Sequence, residues 1–335
     1  MTSSPLRGAK NPLAGLLCAL LAVLFWATIG TVFKLSVLHL ASFTTTVYVS
    51  FLATCALGIN LIIQKKLMVL RQEWKKQRSL FLIAGVIGLG IQQVCYLTGY
   101  QLLPASQVVS LFYLYPLLMT LLSALWFREP LSAKAVLLLI TGCAGVYFLM
   151  AKDQLLNVEP NIGIVATLIA AIAWAFFSVL IQHKQFDPDV GMFLFNGFGL
   201  LFLIGLIPAF GLTWPLTSTE WTGVLYLAIF PTAIAFLLWN QALHLSSTTT
   251  CSAIALLTPL LSVVLNITIL HESILLTQWV GFALLLGSVL LNFLSDRTIL
   301  AALLLTDARP DLECNPVHRF HSQVPLANDW ANPEK

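Results

Sequence analysis

The sequence predicts an all-α membrane protein of ten transmembrane helices, arranged as two five-helix repeats of opposite orientation. Three observations carry that expectation. Charged residues make up only 9% of the 335-residue chain and hydrophobic residues 59%, whereas an ordinary soluble domain is roughly 25% charged. Apolar runs of about twenty residues recur almost end to end, each enough to cross a ~30 Å hydrocarbon core at 1.5 Å per residue. The chain also repeats itself at a nearly fixed offset.

The apolar runs fall at 13–38, 43–64, 80–100, 105–127 and 131–150, then at 162–182, 190–212, 222–244, 248–270 and 277–294. The first is too long for the apolar core of a signal peptide, about 7–15 residues, and no small-residue cleavage site follows it, so it reads as a permanent span. Links are short, and the longest is the basic stretch 65–78. The expected divisions are an N-terminal segment 1–12, a first repeat 13–151, a second repeat 160–296 and a tail 297–335. Asp, Asn and Pro in the tail predict disorder over most of it.

Charge tests the number of spans. Ten spans with the N-terminus inside place 15 of the 17 Lys and Arg on the inner face, leaving Lys152 outside and Lys34 within the first span. The positive-inside rule then predicts a multi-pass protein of the cytoplasmic membrane with both termini in the cytoplasm. The six cysteines form no CxxC pair, and five of them lie in apolar runs. Neither a disulfide framework nor a thiolate metal site is expected.

At an offset of 143 residues, Pro116 falls on Pro259, Glu129 on Glu272 and Tyr96 on Trp239. Near the repeat starts the offset is 148, which matches Trp26 to Trp174. Five spans is an odd number, so the second copy must be inverted. Inverted repeats are a common construction of secondary transporters, with the substrate at the repeat interface near the midplane.

Several segments carry a likeness to known proteins. The first span reads Phe25-Trp26-Ala27-Thr28 with Lys34 eight residues after the Trp. The fourth reads Tyr113-Leu114-Tyr115-Pro116, followed by Glu129 and Gly145. The second copy gives Trp239-Asn240-Gln241-Ala242-Leu243, then Thr258-Pro259, Glu272, Gln278, Gly281 and Gly287. In their order within a ten-span array these resemble the drug/metabolite transporter superfamily, in its EamA-type members. The resemblance covers nearly all of 13–294. Two positions depart from it: Ala27 stands where the family often has Gly, and Ser50 where it often has Arg. The resemblance implies a carrier for small metabolites, with amino-acid exporters among the similar members.

The chemistry of single residues narrows the site. Lys34 is the one charge inside a predicted span, and two readings compete for it. Its stem snorkels to the interface, or its ammonium faces a cavity and meets a carboxylate on the substrate. Gln93, Tyr96, Trp239 and Asn240 lie near corresponding ends of spans three and eight, where cavity lining competes with ordinary interhelical bonding. Trp26 and Trp174 lie mid-span as opposite pocket walls or as packing residues. These seven make the candidate substrate site, a central cavity for a small zwitterion with an apolar or aromatic side chain, or for another small organic metabolite or drug.

Pro116 and Pro259 predict kinks that suit gating helices. Glu129 and Glu272 stand as charges at corresponding repeat ends. No Asp or Glu falls within the predicted spans, so facilitated transport or exchange fits better than proton-driven transport. No catalytic residues, metal or cofactor are expected, because no HExxH, GxSxG or intramembrane carboxylate pair occurs. An enzyme or a channel remains the alternative class. The expected partners are a small-molecule substrate and the lipid bilayer, not nucleic acid.

Overall fold

The computed structural model describes residues 12–128, 133–150, 161–182, 184–246, 251 and 254–294. Among them all regular structure is helical. A bilayer core offers no water to backbone groups, so a spanning segment must satisfy its own amides and carbonyls as a helix. Seven helices are long and apolar enough to cross a membrane: Leu13–Val37, Ser42–Ile63, Arg78–Leu102, Ala105–Phe127, Ile162–Ile181, Pro188–Phe210 and Ser218–Leu245. They are spans one to four and six to eight. Three further apolar helices, Ala133–Met150, Leu257–Leu270 and Leu276–Leu294, take the places of spans five, nine and ten. Part of the ninth apolar run lies outside the described residues.

The packing partners follow the inverted repeat. Span one packs on spans eight and nine, and its counterpart, span six, packs on spans three and four. Spans five and ten, which correspond to each other, pair together. Each copy therefore completes its core with helices of the other. Large side chains such as Phe33, Tyr100, Phe81 and Phe195 are fully buried between them. Leu17, Phe51, Ile140 and Leu201 point outward to lipid.

The backbone repeats in finer detail than hydropathy shows. Span three contains a π-helical segment at Gly85–Ile91 and span eight another at Ala228–Ile234, in register at the 143-residue offset. Arg128 and His271, also 143 apart, both adopt left-handed backbone at the ends of spans four and nine, with φ of 56° and 54°. The first π segment packs against span seven and the second against span two. At Gly85 the approach is closest, since a Cβ there would lie 2.7 Å from the Phe195 carbonyl oxygen and 2.8 Å from Phe198 Cβ.

Three expectations change. The prolines do more than kink their helices. Span four breaks at Tyr113 and Leu114 into Ala105–Phe112 and Tyr115–Phe127, and span nine turns at Leu256. Pro116 falls in the first turn of its new helix, where its missing N–H costs nothing. Pro259 leaves the Ala255 carbonyl without a helical donor, and the Tyr113 hydroxyl supplies one at 3.1 Å.

The basic link after span two is itself partly helical, over Leu67–Lys76. Trp74 of this helix stacks on Phe198 of span seven at 4.9 Å, and the Arg78 guanidinium lies 5.8 Å above Trp74. Leu67 and Met68 are exposed, as befits an amphipathic helix lying along a bilayer surface. Finally, spans seven and eight begin earlier than the sequence indicates, so Asp189 and Glu220 fall in their first turns. Glu129 lies outside the described residues.

Gly85→Val tests the close approach of spans three and seven. Overpacking of this kind costs about 1–3 kcal/mol, so the thermal midpoint of the purified protein should fall by several degrees. An unchanged midpoint would show that the two helices can move apart freely.

Candidate functional site

Polar groups collect at the two ends of the bundle, with aromatic rings between them. The near end is the one at which span one begins. Span two exits there, span seven starts there and span eight finishes there. Asp187 caps span seven, its carboxylate accepting from the N–H groups of Asp189 and Val190. Lys66, just past span two, reaches across with its Nζ 2.7 Å from Asp189 Oδ2 and 3.0 Å from Asp187 Oδ2. Partial burial pulls the Lys66 pKa down, but hydrogen bonds to Asp189 and Asp187 outweigh it, so the net shift is upward and the ammonium stays charged. Asn240 Nδ2 donates to Asp189 Oδ1 at 3.2 Å. These groups rim a cavity of about 530 Å³, whose walls also include Ile234, Leu237, Gln241 and His244 of span eight.

Next comes an aromatic layer. Trp26 lies 5.3 Å from both Trp239 and Phe236, and Phe236 lies 6.3 Å from Trp174. Phe236 thus joins the two repeat-related tryptophans. The Trp26 indole N–H donates to the Pro231 carbonyl at 3.0 Å, inside the second π segment. Span one is thereby fastened to the irregular part of span eight.

Hydrogen bonds cross-link the far end. Ser42 Oγ and Thr98 Oγ1 are 2.8 Å apart, and the Ser42 N–H donates to Gln101 Oε1 at 3.3 Å, joining spans two and three. Tyr96 and Tyr100 share a 2.8 Å hydrogen bond, and Tyr96 packs on Phe112 at 4.5 Å. Glu272, in the link before span ten, crosses to the other repeat and caps span four. Its Oε1 accepts from the Ala105 N–H at 2.6 Å, and its Oε2 accepts from the Ser106 N–H at 3.0 Å and the Ser106 hydroxyl at 2.6 Å. A carboxylate at a helix start meets both the free amides and the positive end of the dipole.

The candidate residues therefore divide into separate groups. Trp26, Trp174 and Trp239 come together. Tyr96, the repeat counterpart of Trp239, lies in the far aromatic group. Asn240 sits at the near rim against Asp189, not at a midplane site. Gln93 accepts from the Ser50 hydroxyl at 3.1 Å, a contact between spans two and three. Lys34 is half-buried in a π segment at the end of span one, within the coulombic reach of Glu272.

The Lys66–Asp187–Asp189 group was not picked out from the sequence. Its signal was Asp187-Pro188, an N-cap followed by a proline at the first helical position, facing a basic link. No group of three or more His, Cys, Asp or Glu is placed to hold a metal among the described residues.

An all-helical bundle of swapped inverted repeats, apolar outside and opening a cavity at one end, is the architecture of a membrane carrier. The chain belongs to the EamA-like transporter family, whose pattern matches residues 13–151 and 161–294. It is a family of transporters, not enzymes. The chain is 29% identical to Protein PecM of Dickeya dadantii over 241 residues, 70% of this chain and 78% of that one. It is 27% identical to the aromatic amino acid exporter YddG of Ancylobacter novellus over 257 residues, covering 73% and 84%. A solved crystal structure 24% identical in sequence superposes with a TM-score of 0.59 over 86% of this chain and 99% of its own, a likeness of fold.

Replacing Glu272 tests the cap. Glu272→Ala strands two amides and a hydroxyl at the start of span four and should cost about 1.5–3 kcal/mol, since the bonds are to a charged acceptor. Glu272→Gln keeps one acceptor oxygen and should lose less. Thermal midpoints in detergent rank the two, and equal loss would assign the stabilisation to something other than these bonds.

Proposed function

We propose that this protein is a secondary transporter of the cytoplasmic membrane that exports or exchanges an amino acid with an apolar or aromatic side chain. The reading rests on one observation above all. A cavity of about 530 Å³ opens at one end of the bundle while hydrogen bonds cross-link the helices at the opposite end, an arrangement that fits one of the two states alternating access requires. Both termini lie in the cytoplasm in this reading, so the open end faces inward and Lys66 belongs to the positive-inside surface.

The substrate class has two supports. Charged and amide groups line the cavity, and the Trp26, Trp239 and Trp174 cluster packs around Phe236 of the same span eight, beyond that lining, an order that suits a small zwitterion with an apolar side chain. A relative of similar length is named an aromatic amino acid exporter. Lys34 and Gln93, with Tyr96, lie towards the other end and serve the path after the carrier turns over. The pairing of Asp189 with Lys66 keeps that carboxylate charged, so the cycle needs no proton from it.

Counterflow of radiolabelled L-phenylalanine, L-leucine and L-alanine into proteoliposomes tests the reading. Saturable counterflow is expected, and its absence for all amino acids would remove this substrate class. Trp174→Ala should slow phenylalanine more than alanine at matched protein abundance, whereas equal slowing would make Trp174 a packing residue alone. Collapsing the pH gradient should leave counterflow intact. Strict dependence on the gradient would instead make Asp189 or Glu272 a proton carrier.

A further inference from the structure

Span nine holds polar groups that the packing leaves without partners. Thr258, Ser262 and Asn266 follow at every fourth residue of span nine and so share one face. They are 5%, 1% and 0% exposed. Thr258 Oγ1, Ser262 Oγ and Asn266 Nδ2 have no hydrogen-bond partner among the described residues. Asn266 is served on one side only, where its Oδ1 accepts from Thr31 of span one at 2.8 Å. Thr258 lies within hydrogen-bonding reach of Tyr113, whose own proton goes to the Ala255 carbonyl and whose lone pairs stay open to the Thr258 hydroxyl, so Ser262 and Asn266 carry the argument. Buried polar groups are nearly always paired, and an unpaired one is costly. Two along one helical face mark a surface whose partners belong to another state of the molecule.

The repeat identifies that state. At the offset of 143, Thr258, Ser262 and Asn266 correspond to Tyr115, Met119 and Ser123 of span four. Those three are half-exposed where the span-nine face is buried. They lie on the half of span four that runs to the near end, outside the lining of the present cavity. When an inverted-repeat carrier changes its access, the two copies exchange roles. The span-nine face then acquires the exposure that span four has now.

We propose that Thr258, Ser262 and Asn266 form the polar wall of the cavity when it opens at the far end, and that they bind the hydrogen-bonding head of a small zwitterion. Two hydroxyls and an amide offer donors and acceptors without net charge, which suits a head carrying both an ammonium and a carboxylate. The wall rests on the transporter reading above, but its exposure is measurable without any flux.

Ser262→Cys, with the six native cysteines replaced by alanine, is treated with a membrane-impermeant methanethiosulfonate reagent in right-side-out and inside-out vesicles. Labelling is expected from the side opposite the N-terminus. The neighbouring Val263→Cys, on the packed face, should stay unlabelled. Failure to label Ser262→Cys from that side overturns the wall, whatever the flux shows.

A second measurement avoids the cysteine-free background. Thr258→Val combined with Ser262→Ala removes both hydroxyls at nearly constant shape. The thermal midpoint should hold or rise by roughly 2–4 °C, while L-phenylalanine counterflow falls by roughly tenfold, the worth of one good hydrogen bond. Undiminished counterflow, or a lowered midpoint, overturns the wall. Absence of counterflow in the unaltered protein would instead remove the amino-acid reading and leave the labelling result to decide the wall.

Discussion

Everything in this structure answers to the scarcity of hydrogen-bond partners inside a bilayer. Helix interiors satisfy themselves, but helix starts, breaks and irregular turns do not. Several are served by a specific group. Asn161 takes the Gly163 N–H at the start of span six, and Thr217 with Glu220 forms a reciprocal capping pair at the start of span eight. Glu272 does the same for span four from the opposite repeat, and Tyr113 serves the carbonyl that Pro259 leaves unpaired. The Trp26 indole serves the Pro231 carbonyl within a π segment. At span four, at Pro259 and at Pro231 the serving side chain comes from another span.

These bonds also lend the two repeats unequal states. At the far end hydrogen bonds join spans two and three directly, whereas at the near end the bonded groups of spans seven and eight rim a cavity. An inverted repeat makes that inequality informative, because each conformation of one copy is a conformation available to the other. The π segments at Gly85–Ile91 and Ala228–Ile234 keep the same register in both copies. They belong to the shared framework and not to the difference between the ends.

Much of the fold was legible in the sequence because lipid imposes a coarse and strict code. Spans two, four and six lie within a residue or two of their apolar runs, and the 143-residue offset carries through to the backbone at Arg128 and His271. The π segments were not legible, since hydropathy does not record which carbonyl an amide selects. The helix at Leu67–Lys76 was hidden within a run of charges that looked like a plain link. The candidate residues scatter for a geometric reason. Tyr96 and Trp239 correspond in sequence, but inversion sends a residue past mid-span to one end in the first copy and to the other end in the second. Only the Trp26 and Trp174 pair lay close enough to mid-span for Phe236 to join them. Asn240 drew its partner from the start of span seven, a long-range pairing that no local pattern announced.

The bond from Trp26 to the Pro231 carbonyl has a consequence for selectivity. With its indole N–H committed to the backbone, the ring would, on the proposed reading, offer a substrate only its face and edge. Phe236 has no polar atom to add. A wall of this kind ranks side chains by size and shape and has little means of testing for a hydroxyl or a ring nitrogen. Apolar surfaces discriminate one methylene by only about 1–3 kcal/mol and hardly reject an added hydroxyl at all. Such a carrier grades its cargo on a smooth scale of bulk, so relatives that differ mainly in these rings would diverge in range of tolerance more readily than in chemical identity of cargo.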